Sequence, residues 1–208
     1  SPVAMKRATY CTLLAAAAVG CAMLFYGPWW LVIVGIVIML FALAYSAGPY
    51  PLSHHGLGDI AVVLFFGVVP VVFTCYLQVG SWNCLRVALP VSVSVGLLAA
   101  HVLVVNNYRD MEDDAAAGKR TSVVSCGRRV MAVAYLLSGV VAMALMYNVW
   151  RMLPLCSLSA LAVYLVLHFA TWRLLVRAKG AALNPLLGCT AVNLLLFALF
   201  FLLTALLV

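Results

Sequence analysis

Seven stretches of this chain are apolar for long enough to cross a bilayer, and few folds satisfy that constraint. They cover residues 9–26, 29–47, 60–78, 87–105, 130–149, 153–172 and 186–208. Each has roughly 18 to 23 residues, which at ~1.5 Å of helical rise per residue matches a hydrocarbon core of ~30 Å. A soluble helix would carry a charged outer face, but only 8% of the 208 residues are charged and 67% are hydrophobic. Inside lipid every backbone N–H and C=O must be paired within the segment itself, so spans of this kind are helices. The expected fold is therefore all-α, a polytopic membrane helical bundle in which residues 1–208 form a single membrane-embedded domain.

The basic residues orient the bundle. With the N-terminus in the cytoplasm, that side receives Lys6, Arg7, Arg109, Lys119, Arg120, Arg128, Arg129, Arg173, Arg177 and Lys179, and the other side only Arg86 and Arg151. This positive-inside bias predicts a cytoplasmic N-terminus. It also explains the net charge of +7, as attraction to anionic headgroups of the lipid bilayer. Nucleic acid as a partner is excluded, because no continuous basic patch with readout groups accompanies the charge. The seven cysteines form no CxxC pair and read as small packing residues. No cleavable signal peptide is visible. The connectors on the predicted cytoplasmic side, 48–59, 106–129 and 173–185, are the long ones, and loops of that length tend to carry function.

Four of the five acidic residues, Asp110, Glu112, Asp113 and Asp114, fall in one five-residue window; only Asp59 lies elsewhere. If the fourth span continues as helix through Asn106, then Asn106, Asp110 and Asp114 stack on one face, with Asn107 and Asp113 at its margins. Carboxylates near a helix C-terminus oppose the macrodipole and repel one another. A divalent cation between them removes both penalties. Oxygen ligands at this spacing suit Mg²⁺, which takes one or two carboxylates and completes its shell with water and phosphate oxygens. Asp110 and Asp114 are the first candidate ligands and Asp113 a third, whereas Glu112 points to another face. Arg109 within the window, and Lys119 and Arg120 just after it, are the cations that a diphosphate requires. The alternative is a solvated acidic turn leaving the membrane. Gly118-Lys119-Arg120-Thr121 has the end of a P-loop, but Asp113 stands where the upstream glycine belongs, so that motif fails.

Other polar residues have two readings each. The prolines and glycines of 48–59 predict a fixed, non-helical loop. Asp59 is either an N-cap of the third span or a polar group at the mouth of a substrate cavity. His54 and His55 are adjacent and would point apart, which argues against a metal pair. His101 lies within a span and is either functional or a hydrogen-bonded packing residue. His168 is expected at the interface, and Trp29, Trp30, Trp82, Trp150 and Trp172 in the aromatic belts.

Three stretches together resemble the UbiA superfamily of membrane prenyltransferases, and within it the 1,4-dihydroxy-2-naphthoate polyprenyltransferases of menaquinone synthesis. They are Tyr45-Ser-Ala-Gly-Pro-Tyr-Pro-Leu with Gly56-Leu-Gly-Asp59; Phe65-Phe-Gly-Val-Val-Pro70 with Tyr76-Leu-Gln78; and Asn106-Asn-x-Arg-Asp110-x-x-x-Asp114-x-x-x-Gly118-Lys119-x-Thr121. The resemblance implies a nine-helix fold in the bacterial cytoplasmic (inner) membrane. Two aspartate-rich motifs would face the cytoplasm and hold Mg²⁺ and a polyprenyl diphosphate. On this basis Asp110, Asp114, Lys119 and Arg109 are expected to be catalytic. Asn106, Asn107 and Arg120 are expected to bind substrate, and Tyr45, Tyr50 and Asp59 to line the side of the aromatic acceptor, dihydroxynaphthoate. The first motif is not found in these residues, and seven spans stand in place of nine, so an N-terminally shortened member is expected. A 4-hydroxybenzoate or tocopherol-type acceptor, a non-catalytic relative and a transporter remain as alternatives. Transport sites usually sit near the bilayer midplane, whereas this charge sits at its edge. The signature of CDP-alcohol phosphotransferases is absent.

Overall fold

The computed structural model describes residues 1–152 and 156–206. The start of the sixth expected span (153–155) and the last two residues of the seventh lie outside them. The helices are α1 (Pro2–Ala22), α2 (Leu31–Ser46), α3 (Gly58–Val62), α4 (Val69–Val79), α5 (Leu85–Arg109), α6 (Met111–Ala116), α7 (Ser122–Trp150), α8 (Cys156–Arg177) and α9 (Asn184–Ala205), with no strand among the described residues. Among the described residues six helical segments are long and apolar enough to cross a membrane, so the chain is an integral membrane protein. The second expected span is realised as α2, which at 16 residues is shorter than the others because Pro28, Trp29 and Trp30 form a turn before it.

Sequence chemistry explains the breaks. A π-helical segment, Val63–Val68, joins α3 to α4, and the Val69 N–H reaches back to the Leu64 carbonyl. Pro70 follows at once; it has no N–H to give to the ordinary ladder, and a wider turn relieves its ring from the preceding carbonyls. Further on, α7 starts at Ser122, eight residues before the apolar stretch predicts, because Thr121 caps it by accepting a hydrogen bond from the Val124 N–H at 3.4 Å. Gly127 then breaks the regular helix with φ 81° and ψ 158°, a conformation a side chain would strain. Arg128, just past this break, donates to the Tyr108 carbonyl and to Glu112, tying α7 to the end of α5.

At the centre of the bundle is α5. It packs between α3–α4 on one side and α7 and α9 on the other, and its Ala, Ser and Gly positions let neighbouring backbones come close. The closest approach is at Gly96: a Cβ built there would lie 2.5 Å from the Val63 carbonyl oxygen. Ser94 fastens α5 to α7, its hydroxyl lying 2.9 Å from the Ala142 carbonyl.

Two aromatic expectations are corrected by this packing. Trp150 is fully buried, with its ring 5.8 Å from that of Phe197, instead of standing in the belt. His168 is 1% exposed and lies in the bundle interior. It stacks on Tyr135, and its Nε2 donates to the Leu136 carbonyl at 3.2 Å. Gly139 leaves the space that the His168 ring fills. His101 is part of the same stack and is hydrogen-bonded to the Ser138 hydroxyl at 2.8 Å. Trp29 and Trp82 are exposed as belt residues should be, while Trp172 donates its indole N–H to the Ala132 carbonyl.

Candidate active site

The helix expected to run unbroken through Asn106, Asp110 and Asp114 is interrupted at Asp110, although all three still face one cavity. Helix α5 ends at Arg109, Asp110 turns the chain at φ −92°, ψ 10°, and α6 begins at Met111. The dipole explains this break. Continued helix would leave all four acids at a negative end, but the restart puts Glu112, Asp113 and Asp114 in the first turn of α6, where negative charge is favoured. Gly118 then adopts a left-handed conformation, φ 73°, and the Lys119 N–H bonds the Asp114 carbonyl at 2.9 Å. That turn folds Lys119 back over the window.

The charges are paired tightly. Arg109 forms a two-pronged contact with Asp110, Nε to Oδ1 at 2.6 Å and Nη2 to Oδ2 at 2.7 Å. The same guanidinium donates to Asn106 and, across the bundle, to Asn184 at the start of α9. Lys119 Nζ lies 2.8 Å from Asp114 Oδ1, and Asp114 is buried. The hydrogen-bonded Arg109 guanidinium, helped by the charge of Lys119, holds Asp110 below the usual carboxylate range, and the contact with Asp114 raises the Lys119 ammonium. Both groups are therefore charged throughout the physiological range.

The opposite wall comes from the 48–59 loop. The Arg120 N–H donates to the His54 carbonyl at 2.8 Å, fixing this loop against the turn after α6. Gly56, at φ 73°, lies close under that contact: a Cβ there would be 3.3 Å from the Arg120 carbonyl oxygen. Between the two walls is a cavity of about 180 Å³. Asn106, Asn107, Asp110, Asp114 and Lys119 line one side, Tyr45, Ser53, Gly58 and Asp59 the other, with Thr121 and Ser122 between them. Asp59 Oδ1 and Ser122 Oγ are buried without a well-directed hydrogen bond. Buried polar atoms are normally satisfied, and these two lie near enough to partner each other.

A profile of the UbiA prenyltransferase family matches residues 4–186. The chain belongs to the UbiA prenyltransferase family. It is 32% identical over 204 residues to the 1,4-dihydroxy-2-naphthoate octaprenyltransferase of Mycobacterium tuberculosis, covering 96% of this chain and 67% of that protein. The protein of the same name from Escherichia coli is 33% identical over 210 residues, with the same two shares. That of Haemophilus influenzae is 45% identical over 93 residues, 45% of this chain and 30% of its own length. The chain thus spans about two thirds of the length of the first two relatives. No solved structure matches significantly.

Within this UbiA-family fold, the residues singled out in the sequence separate into two groups. Asn106, Asn107, Asp110, Asp114, Lys119, Tyr45 and Asp59 share the cavity, and Arg109 holds Asp110 from behind. Asp113 does not join them: it is exposed on the solvent side of α6, because adjacent helical residues point about 100° apart and Asp114 takes the direction into the cavity. Tyr50 is 57% exposed and stacks on His55 outside the cavity, and Arg120 contributes its backbone to the loop contact while its side chain is exposed. Asp59 is not an N-cap; Leu57 holds that position and Asp59 sits in the first turn of α3. Sequence reasoning missed Ser53, Thr121, Ser122 and Asn184. Thr121 and Ser122 were discoverable as the cap and first residue of α7, and Asn184-Pro185 as a helix start.

The donor set fits Mg²⁺. It is all oxygen, supplied by the carboxylates of Asp110 and Asp114, which are ion-paired here to Arg109 and Lys119, and by amides and hydroxyls, with Asp59 across the gap. Among the described residues no three acidic, His or Cys side chains converge into a metal-binding group.

Proposed function

We propose that this chain carries the diphosphate end of the site of a Mg²⁺-dependent aromatic prenyltransferase. It would transfer a polyprenyl group from polyprenyl diphosphate to 1,4-dihydroxy-2-naphthoate, at the cytoplasmic face of a bacterial inner membrane. The observation that carries this is the convergence of Asp110, Asp114 and Lys119 with Asp59 and Tyr45 on one cavity at the end of the apolar bundle. The names of the matched relatives support the acceptor.

Asp110 and Asp114 would hold Mg²⁺, which when bound supplies a Lewis acid for the leaving diphosphate. Lys119 is placed to donate hydrogen bonds to the same diphosphate, and the charge it presents is worth most where it meets negative charge that grows during bond cleavage. Arg109 keeps Asp110 ionised and fixes its direction. The cavity is below the ~300 Å³ of ordinary small-molecule pockets, so it fits a charged head while the prenyl chain lies along apolar helix surfaces. Heterolysis of the allylic C–O bond leaves its electron pair on the diphosphate. The electron-rich ring then forms the new C–C bond, and loss of the carboxylate as CO₂ restores aromaticity. Tyr45 and Asp59 orient the hydroxylated ring from the opposite wall, and the surrounding apolar spans keep water from the cation.

The test is transfer of the prenyl group to dihydroxynaphthoate by membranes containing this chain, followed by mass spectrometry. A prenylated naphthoquinol that depends on both substrates supports the proposal. Product formed equally from 4-hydroxybenzoate would overturn the acceptor assignment.

A further inference from the structure

A second cavity, of about 390 Å³, lies at the far end of the bundle from the acidic window and plays no part in the chemistry proposed above. It forms where the start of α5 meets the end of the antiparallel α7. Arg86 stands in the first turn of the 25-residue α5 and Arg109 at its end, which places the two sites roughly 35 Å apart along the helix. The rim carries Arg86, Arg151 and Asn148, and the walls are Val87, Pro90, Leu145 and Val149 among others. Pro90 has no N–H, so the Arg86 carbonyl lacks its helical partner and the ladder is open at this point. Neither arginine is in an ion pair among the described residues.

Two exposed guanidinium groups on the lining of one cavity make it electropositive, and an anion held there is attracted by both. Their forked donors match phosphate oxygens. The site is at the edge of the apolar spans and its walls are aliphatic, so an amphipathic anion fits it better than a free one. We propose that this cavity binds the phosphate of an anionic phospholipid. Arg86 and Arg151 hold the phosphate, Asn148 donates to the headgroup, and an acyl chain follows Val87, Leu145 and Val149. It is a lipid site independent of the prenyl-transfer site.

The experiment is native mass spectrometry of the full chain released from nanodiscs containing equal phosphatidylglycerol and phosphatidylcholine. Wild type should retain one phosphatidylglycerol selectively. At about 1 kcal/mol per basic residue near the membrane surface, the R86Q/R151Q double variant should lose that preference by roughly thirtyfold. The R86K/R151K variant, which keeps the charge but loses the forked donors, should fall between wild type and the glutamine variant, and millimolar inorganic phosphate should not displace the lipid. If the double variant does not fold, R86Q and R151Q are read singly, each with roughly a fivefold loss expected. Unchanged selectivity in the folded glutamine variants would overturn the proposal, as would displacement of the lipid by inorganic phosphate.

Discussion

Gly67→Ala is the sharpest test of how the two walls of the cavity are held together. Gly67 lies in the π segment that connects α3 to α4 and faces Gly96 of α5, so backbone meets backbone at this crossing. A Cβ on Gly67 would lie 2.5 Å from the Gly96 nitrogen and nearer still to the Gly96 Cα and the Ser92 carbonyl oxygen. Non-bonded carbons need roughly 3.5 Å, so α3 and α5 must separate by about 1 Å, and backbone cannot swing aside as a flexible side chain can. Overpacking of this kind costs about 1–3 kcal/mol, and a contact with no soft partner belongs at the upper end. For a chain of this size that is a fall of roughly 6–12 °C in Tm. The same shift moves Asp59, on α3, away from Asp110 and Asp114, and a misplacement of ~1 Å is enough to lower turnover about a hundredfold. Thermal unfolding in detergent is the assay, with Gly188→Ala as control, since a Cβ there meets nothing within 4 Å. A Gly67→Ala protein as stable as wild type would refute the close crossing.

Removing Arg109 should change the response to acid. Its guanidinium keeps the Asp110 pKa low, so the stability this carboxylate contributes is present above its unfolded value of about 3.9 and is lost only as pH falls through a lower folded value. In Arg109→Gln that contribution is absent, so Tm should lie below wild type above about pH 4 and the gap should shrink as pH falls further; a gap that does not change with pH would contradict the assignment. Trp150→Ala should cost about 3–5 kcal/mol because the ring is fully buried against Phe197, whereas a belt tryptophan at that position would leave Tm nearly unchanged. Reporter fusions should place the Lys119 turn in the cytoplasm and Arg151 outside; the reverse pattern would sink the orientation.

Much of this was legible before the structure because two signals are one-dimensional. Apolar length identifies a span whatever it packs against, and a cluster of carboxylates followed by Gly118-Lys119 announces a charged turn. What stayed hidden depends on a neighbour. Trp150 sits at a span end, where belt and core residues look alike, and only the position of Phe197 on α9 decides between them. His168 seemed near an interface because α8 was expected to end at Trp172; it runs on to Arg177, which draws the ring inward onto Tyr135. Asp113 and Tyr50 share their motifs with cavity residues, but a helix restart at Met111 and an outward loop turn send them elsewhere. Ser122 reaches the cavity as the first residue of α7, next to the loop held by the Arg120–His54 contact.

Equilibrium binding of a prenyl diphosphate to the purified chain, with and without Mg²⁺, addresses the cavity most directly. Mg²⁺-dependent binding should be weakened at least about tenfold by Asp110→Asn or Asp114→Asn, each removing a charge-assisted contact worth roughly 1.5–3 kcal/mol, and left unchanged by Asp113→Asn. Equal binding by all three variants, or binding indifferent to chelation of the metal, would contradict a diphosphate site built on Asp110, Asp114 and Lys119.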